Sequence, residues 1–408
     1  MSTQFARRLS AVAPSVTLAV NARANALRTQ GIDIFAFGVG EPDFDPPAFV
    51  LEAAKRAIES GAHKYTPVTG IPALKKAICD VAKARRGYEP KPENVCVSVG
   101  AKHALFNVAL ALFEPGDEVV IPEPAWVSYP EQVRIAGATP IGVPTSEDDG
   151  WLISPAALDA AITPRTKAVI LCTPSNPTGA AYPEAKLAAL VEVLRKHDCW
   201  IVVDEIYAEL VYDGFRHVSI AKLAPDLAHR TIVIDGLSKT YAMTGWRIGW
   251  AIAPKALIAA LDILQGQSTT NAAAVAQHAA VAALTGPQDA VEAMRKQFEH
   301  RRNVMVDALN SVPGIRCRKP EGAFYAFADC RGLYGIEHDG KPITNDDQVA
   351  FFLLDRAHVA AVPGGAFGGP GYVRFSYATS EERIRGGVES IRRALEQARR
   401  ASQAPKAP

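Results

Sequence analysis

The sequence predicts an α/β protein, in which a large domain with a mainly parallel sheet sandwiched by helices is joined to a smaller α+β domain. Short unbroken apolar runs recur along the chain, as expected of strands covered on both faces. Helical periods stand between several of these runs. The chain has 408 residues, 48% of them hydrophobic, which suits two domains better than one.

The expected strands are Asn94–Val99, Asp117–Pro122, Lys167–Cys172, Cys199–Glu205, Thr231–Gly236 and Ile248–Ala253. In PEAKLAALVEVLRKHD, Leu187, Leu190, Val191 and Leu194 fall on one helical face. Ile384, Val388, Ile391 and Leu395 do the same near the C-terminus. The texture changes from about Gly314, where a mixed α+β unit begins. The expected division is an N-terminal segment (1–45) contributing to the small domain, a large ligand-binding domain (46–300) and a small C-terminal domain (301–408) with a frayed tail. The patch SVTLAV near the start is too short for a signal core, so a first surface helix is expected there.

Bulk properties exclude several functions. Lysine and arginine total 44 against 43 acidic residues, a net charge of +1 that gives no field for nucleic acid or a membrane surface. No apolar run is long enough for a transmembrane helix. The six cysteines are scattered without a CxxC or a Cys/His cluster, so reduced thiols in the cytoplasm, and no metal site, are expected.

In open α/β sheets, function gathers beyond the carboxyl ends of the strands. Gly100-Ala101-Lys102 follows the first run and opens a helical stretch. Such a turn points free N–H groups at an anion, although glycine also serves turns for steric reasons alone. Asn176 follows the third run in TPSNPTG, which is also an ordinary Asn-Pro turn. Asp204, with Tyr207 close behind, ends the fourth run, where a buried carboxylate needs a cation or a helix start. Ser238 and Lys239 end the fifth, with Arg247 a short way on. A phosphorylated, aldehyde-bearing pyridine would use all of these groups. The aldehyde needs a lysine, the ring nitrogen a carboxylate, and the phosphate a helix start plus Arg247. That ligand is pyridoxal 5′-phosphate.

Motifs along nearly the whole chain carry a resemblance. They are GVGEPDFDPP (Gly38–Pro47), HKYTPVTGIPALKKAI (His63–Ile78), SVGAKHALFN (Ser98–Asn107), EPAWVSYPE (Glu123–Glu131), TPSNPTG (Thr173–Gly179), DEIY (Asp204–Tyr207), SKTYAMTGWRIG (Ser238–Gly249), VPGGAFG (Val362–Gly368) and YVRFSYA (Tyr372–Ala378). Together they resemble the fold-type I, class I pyridoxal-phosphate-dependent aminotransferases, in the bacterial branch of aspartate and prephenate aminotransferases.

The resemblance implies a role at each matching position. Lys239 would bind the cofactor's aldehyde, Asp204 its ring nitrogen, and Tyr207 and Asn176 its phenolic oxygen. Gly100, Ala101, Lys102, Ser238 and Arg247 would hold the phosphate. Tyr65 would reach the phosphate of a neighbouring subunit, which implies a homodimer. Trp126 would stack on the ring. Arg374 would grip the substrate α-carboxylate, helped by Gly40 and Asn176. Lys102 matches the lysine that meets a distal carboxylate in this branch, and Ser15 and Thr17 match a segment that closes over substrate.

The expected activity is therefore ping-pong transfer of an amino group between aspartate or glutamate and a 2-oxo acid, with prephenate or an aromatic acid as an alternative acceptor. A lyase or cyclising synthase would use the same cofactor groups, because substrate positioning decides the fate of the carbanion. A non-catalytic regulator would need a DNA-binding extension, for which the N-terminal segment is too short.

Overall fold

A computed structural model describes residues 6–12 and 16–403. Its centre is a seven-stranded sheet in the order Val95–Val99, Ile248–Ile252, Thr231–Gly236, Trp200–Asp204, Thr166–Cys172, Glu118–Glu123 and Thr139–Pro144. Ile248–Ile252 runs antiparallel to both of its neighbours, and the remaining strands run parallel. The interior strands are Val- and Ile-rich because both of their faces are covered. The edge strand Thr139–Pro144 was not expected from the sequence. It carries Gly142 and two prolines and is partly exposed, as an edge permits, so it shows no apolar run.

The helix on Leu187, Leu190, Val191 and Leu194 spans Glu184–Leu194, and all four side chains are buried. The C-terminal helix spans Glu381–Gln403, taking in residues expected to fray. Its Ile384, Val388, Ile391 and Leu395 are buried, each stabilising the fold by roughly 1.5–3 kcal/mol. Thr17 lies in helix Val16–Thr29, while Ser15 falls outside the described residues.

A second, antiparallel sheet has the order Val362–Pro363, Tyr372–Ser376, Tyr325–Asp329, Arg316–Cys317. The N-terminal segment packs with this part of the chain. Phe35–Ala36 pairs with Val359–Ala360, and Val20, Ala24 and Leu27 pack with Ala350 and Leu354. Helix Asp289–Asn310 runs unbroken through the domain boundary expected at 300. Among the described residues, no helix is long and apolar enough to cross a membrane.

Candidate active site

The carboxyl ends of the parallel strands and the small sheet enclose a cleft of about 490 Å³. Gly40, Ala101, Lys102, Trp126, Asn176, Asp204, Tyr207, Ser238, Lys239, Arg247 and Arg374 all line it. Gly100 caps helix Ala101–Leu112 at φ 84° and stands just behind that lining. Tyr65 does not line the cleft. It is 89% exposed on the surface of the single chain.

Lys239 stands just beyond strand Thr231–Gly236, and its ammonium donates to the Gly40 carbonyl at 2.5 Å. Burial lowers its pKa from 10.5 to about 8; Glu41 and Asp204 oppose the shift, while the Arg374 and Arg247 charges add to it. An amine with such a pKa is available as a nucleophile or base near neutrality.

Asp204 is the last residue of its strand and is buried. One carboxylate oxygen accepts from the Tyr129 hydroxyl at 2.8 Å, the other from the Ile206 N–H at 3.1 Å. Burial raises its pKa to about 6 despite both hydrogen bonds and the Lys239 charge. A cation placed against this carboxylate would bring it back down. Tyr207 and Tyr325 share a hydrogen bond at 2.9 Å, and burial raises both phenols above their ordinary pKa.

Arg374 comes from the small sheet, from the strand Tyr372–Ser376, every residue of which is buried. It is 6% exposed, yet meets no carboxylate among the described residues. Its guanidinium donates to Asn176 Oδ1 at 2.8 Å and to the Gly38 carbonyl at 3.0 Å, while its buried Nε has no partner. Tyr325 and Phe367 lie against the cation at 4.5 and 4.9 Å. A planar fork held this way, without a counter-charge, fits a carboxylate.

Also in the lining, the Lys102 ammonium sits 4.9 Å from the centre of the Trp126 ring. Partial desolvation and the Arg247 charge hold its pKa below the ordinary value. Arg247, in the left-handed region at φ 56°, approaches Gly100 so closely that a Cβ there would lie 2.7 Å from its Nη2. Gly249 is tighter still: a side chain would meet the Ala101 amide nitrogen at 2.1 Å. Glycine at both positions lets the helix start and the arginine converge on one point.

The profile of the family described as "Aminotransferase class I and II" matches residues 32–391. The chain belongs to this family. It is a transaminase, and its fold is that of the family's solved members. The aminotransferase is 47% identical to "Aspartate aminotransferase" of Geobacillus stearothermophilus, covering 96% of this chain and 99% of that one. It is also 47% identical to "Aspartate/prephenate aminotransferase" of Cereibacter sphaeroides, over 92% of this chain and 95% of the other. The crystal structure of the Rhizobium meliloti aspartate aminotransferase superposes with a TM-score of 0.94 at 44% identity, covering 97% and 99%. The Thermus thermophilus aspartate aminotransferase with maleate gives 0.90 at 42%, covering 96% and 99%.

Several cleft residues of the aminotransferase escaped the sequence reading. Tyr129, which holds Asp204, stands three residues beyond Trp126 and packs edge-on to it at 5.4 Å; it lies within the motif EPAWVSYPE, but no role was assigned to it there. Glu41 and Phe367 lie in the motifs GVGEPDFDPP and VPGGAFG without an assigned role, whereas Tyr325 reaches the cleft through tertiary packing alone. Outside it, His338, Asp339 and Asp355 converge. Arg356 and Arg23 already pair with the two carboxylates, so the trio is an ion-pair cluster.

Proposed function

We propose that this transaminase uses pyridoxal 5′-phosphate to exchange an amino group between aspartate or glutamate and a 2-oxo acid, oxaloacetate or 2-oxoglutarate, by a ping-pong mechanism. The buried Arg374 carries this reading: a guanidinium without a carboxylate, facing the same cleft as Lys239 and Asp204. The cleft residues fit the cofactor, with the convergence of Arg247 on the Ala101 helix start supporting a phosphate site.

When bound, the cofactor supplies an aldehyde for the substrate amine and an electron-accepting ring. Lys239 would hold that aldehyde, and its amine would be freed when substrate binds. The freed amine then takes the proton from the donor's Cα and, in the reverse half-reaction, returns one to the Cα of the new amino acid. Asp204 would pair with the ring nitrogen and stay ionised beside its charge. Asn176 and Tyr207 would donate to the phenolic oxygen, and Trp126 would cover the ring face. Ser238, Arg247 and the amides of Gly100, Ala101 and Lys102 would take the phosphate. Arg374, with Asn176 and Gly40, fixes the α-carboxylate so that the Cα–H bond is presented to Lys239. The Lys102 ammonium meets the distal carboxylate.

Prephenate as a further acceptor is favoured by relatives named aspartate/prephenate aminotransferase. The proposed organisation is a homodimer in which Tyr65 serves the neighbouring site. Segment 1–45 would contribute to the small domain (301–408), while 46–300 would carry the cofactor. All six cysteines are free, in keeping with the cytoplasm.

The protein should purify yellow, and aspartate or glutamate should bleach the band. A panel of amino donors against 2-oxoglutarate, oxaloacetate and prephenate then ranks the acceptors. Borohydride reduction followed by peptide mapping should label Lys239; a label on another peptide, or none, removes the assignment.

A further inference from the structure

Gln265 is fully buried at the end of helix Lys255–Gly266, outside the cleft lining, and every hydrogen-bonding position of its amide is used. Its Oε1 accepts from Ser98 Oγ at 2.6 Å and Asn107 Nδ2 at 3.2 Å. Its Nε2 donates to the Val97 carbonyl at 2.8 Å and the Val68 carbonyl at 2.7 Å. Val97 and Ser98 belong to the strand that enters the Gly100 turn, and Asn107 to the helix that leaves it. Val68 belongs to the loop that carries Tyr65. One amide thus joins both sides of the anion-binding turn to that loop.

The loop is held from its other side as well. Gln277, also fully buried, accepts from the Ile71 N–H at 2.8 Å and donates to Thr66 Oγ1 at 3.0 Å, beside Tyr65. The Val97 N–H donates to the Thr69 carbonyl at 3.0 Å. Gly70 lies so close that a Cβ would stand 2.7 Å from the Val97 side chain. Tyr65 is therefore an exposed ring on a backbone fixed against the strand that feeds the turn.

We infer that Gln265 is a positioning residue for phosphate recognition: it sets the register between the Gly100–Lys102 turn and the Tyr65 loop. The inference rests on the proposed phosphate site. Gln265 itself lies outside the cleft. Its effect is confined to how the N–H groups of the turn and the Tyr65 loop are presented. A buried amide with four good partners permits one arrangement of the segments it joins, since any other would leave polar groups unpaired.

The test uses full-length protein resolved of cofactor and titrated with pyridoxal 5′-phosphate or with pyridoxal, which lacks the phosphate. Wild type should prefer the phosphorylated form strongly. Gln265→Leu should weaken pyridoxal 5′-phosphate by roughly tenfold and pyridoxal by less than about twofold. Ser98→Ala removes a single bond, is less disruptive to folding, and should give about threefold on the phosphorylated ligand alone. Equal losses for the two ligands, or no loss, in a folded variant would overturn the inference, since a general structural role weakens both alike. If wild type itself bound the two ligands equally, the phosphate-site reading would fail first, and the inference with it.

Discussion

Two buried arginines, Arg302 and Arg374, separate what holds this molecule together from what it does. Arg302 is 0% exposed, in the long helix behind the small sheet. It pairs with Asp213 at 2.8 Å, donates to the Pro320 carbonyl at 3.0 Å and stacks on Tyr212 at 4.9 Å. Arg374 is almost as buried and also lies against aromatic rings, but its hydrogen bonds go only to an amide and a carbonyl, it meets no carboxylate among the described residues, and its Nε has no partner. Burial alone does not mark a functional cation. The difference lies in the inventory of partners: a charge kept without a counter-charge is costly for the fold, and its use lies elsewhere.

The same contrast separates Lys239 from a structural lysine, and removing it should have the largest effect. Lys239→Ala should lower turnover by about four orders of magnitude or more, read by steady-state kinetics. Near-wild-type turnover would break the comparison at its centre. The two arginines come next. Arg374→Leu should reduce kcat/KM for aspartate by ~10²–10³-fold while leaving the melting temperature equal or higher. Arg302→Leu should do the reverse, costing about 2–3 kcal/mol of stability with kcat/KM of the folded enzyme changed by less than about threefold. If both variants lost stability alike, partner inventory would not be the distinguishing property.

Lys102→Ala sharpens the comparison at another cation of the cleft lining. It should weaken aspartate by about tenfold in kcat/KM and phenylalanine by less than about twofold. Equal losses would remove the distal-carboxylate role.

Titration offers a finer measure. In the folded chain the Lys239 pKa is lowered to about 8 from 10.5, so the unfolded chain holds the proton more tightly. The resulting penalty is full below about pH 8 and fades as pH rises to 10.5. Cofactor-free Lys239→Met should therefore be more stable than wild type by about 1–3 kcal/mol at neutral pH. That advantage should shrink across this window in denaturant titrations. The smallest expected effect is Tyr129→Phe. In the cofactor-free protein, losing its hydrogen bond, about 1 kcal/mol, raises the Asp204 pKa further, which NMR titration of the carboxyl group reads directly.

Much of the site was legible because it sits at strand ends. An unbroken apolar run announces a strand covered on both faces, and the first polar residue after it stands at the sheet's carboxyl edge. Asp204, Lys239 and Asn176 were found that way. The edge strand Thr139–Pro144 left no such mark, since an exposed strand need not be apolar. A role for Arg374 was implied by the resemblance, but its lack of a carboxylate partner could not be read from the sequence.

By itself, the sequence determined the layered α/β fold, the order of the strand-end groups and the family, because these depend on local periodicity and on residue types at fixed spacing. Only the tertiary structure decided which charges go uncompensated. It joined Tyr129 to Asp204 and gathered the strand, turn and Tyr65 loop around one glutamine. Those outcomes depend on through-space distance between segments far apart in the chain, where hydrogen bonding and desolvation act and sequence spacing carries no information.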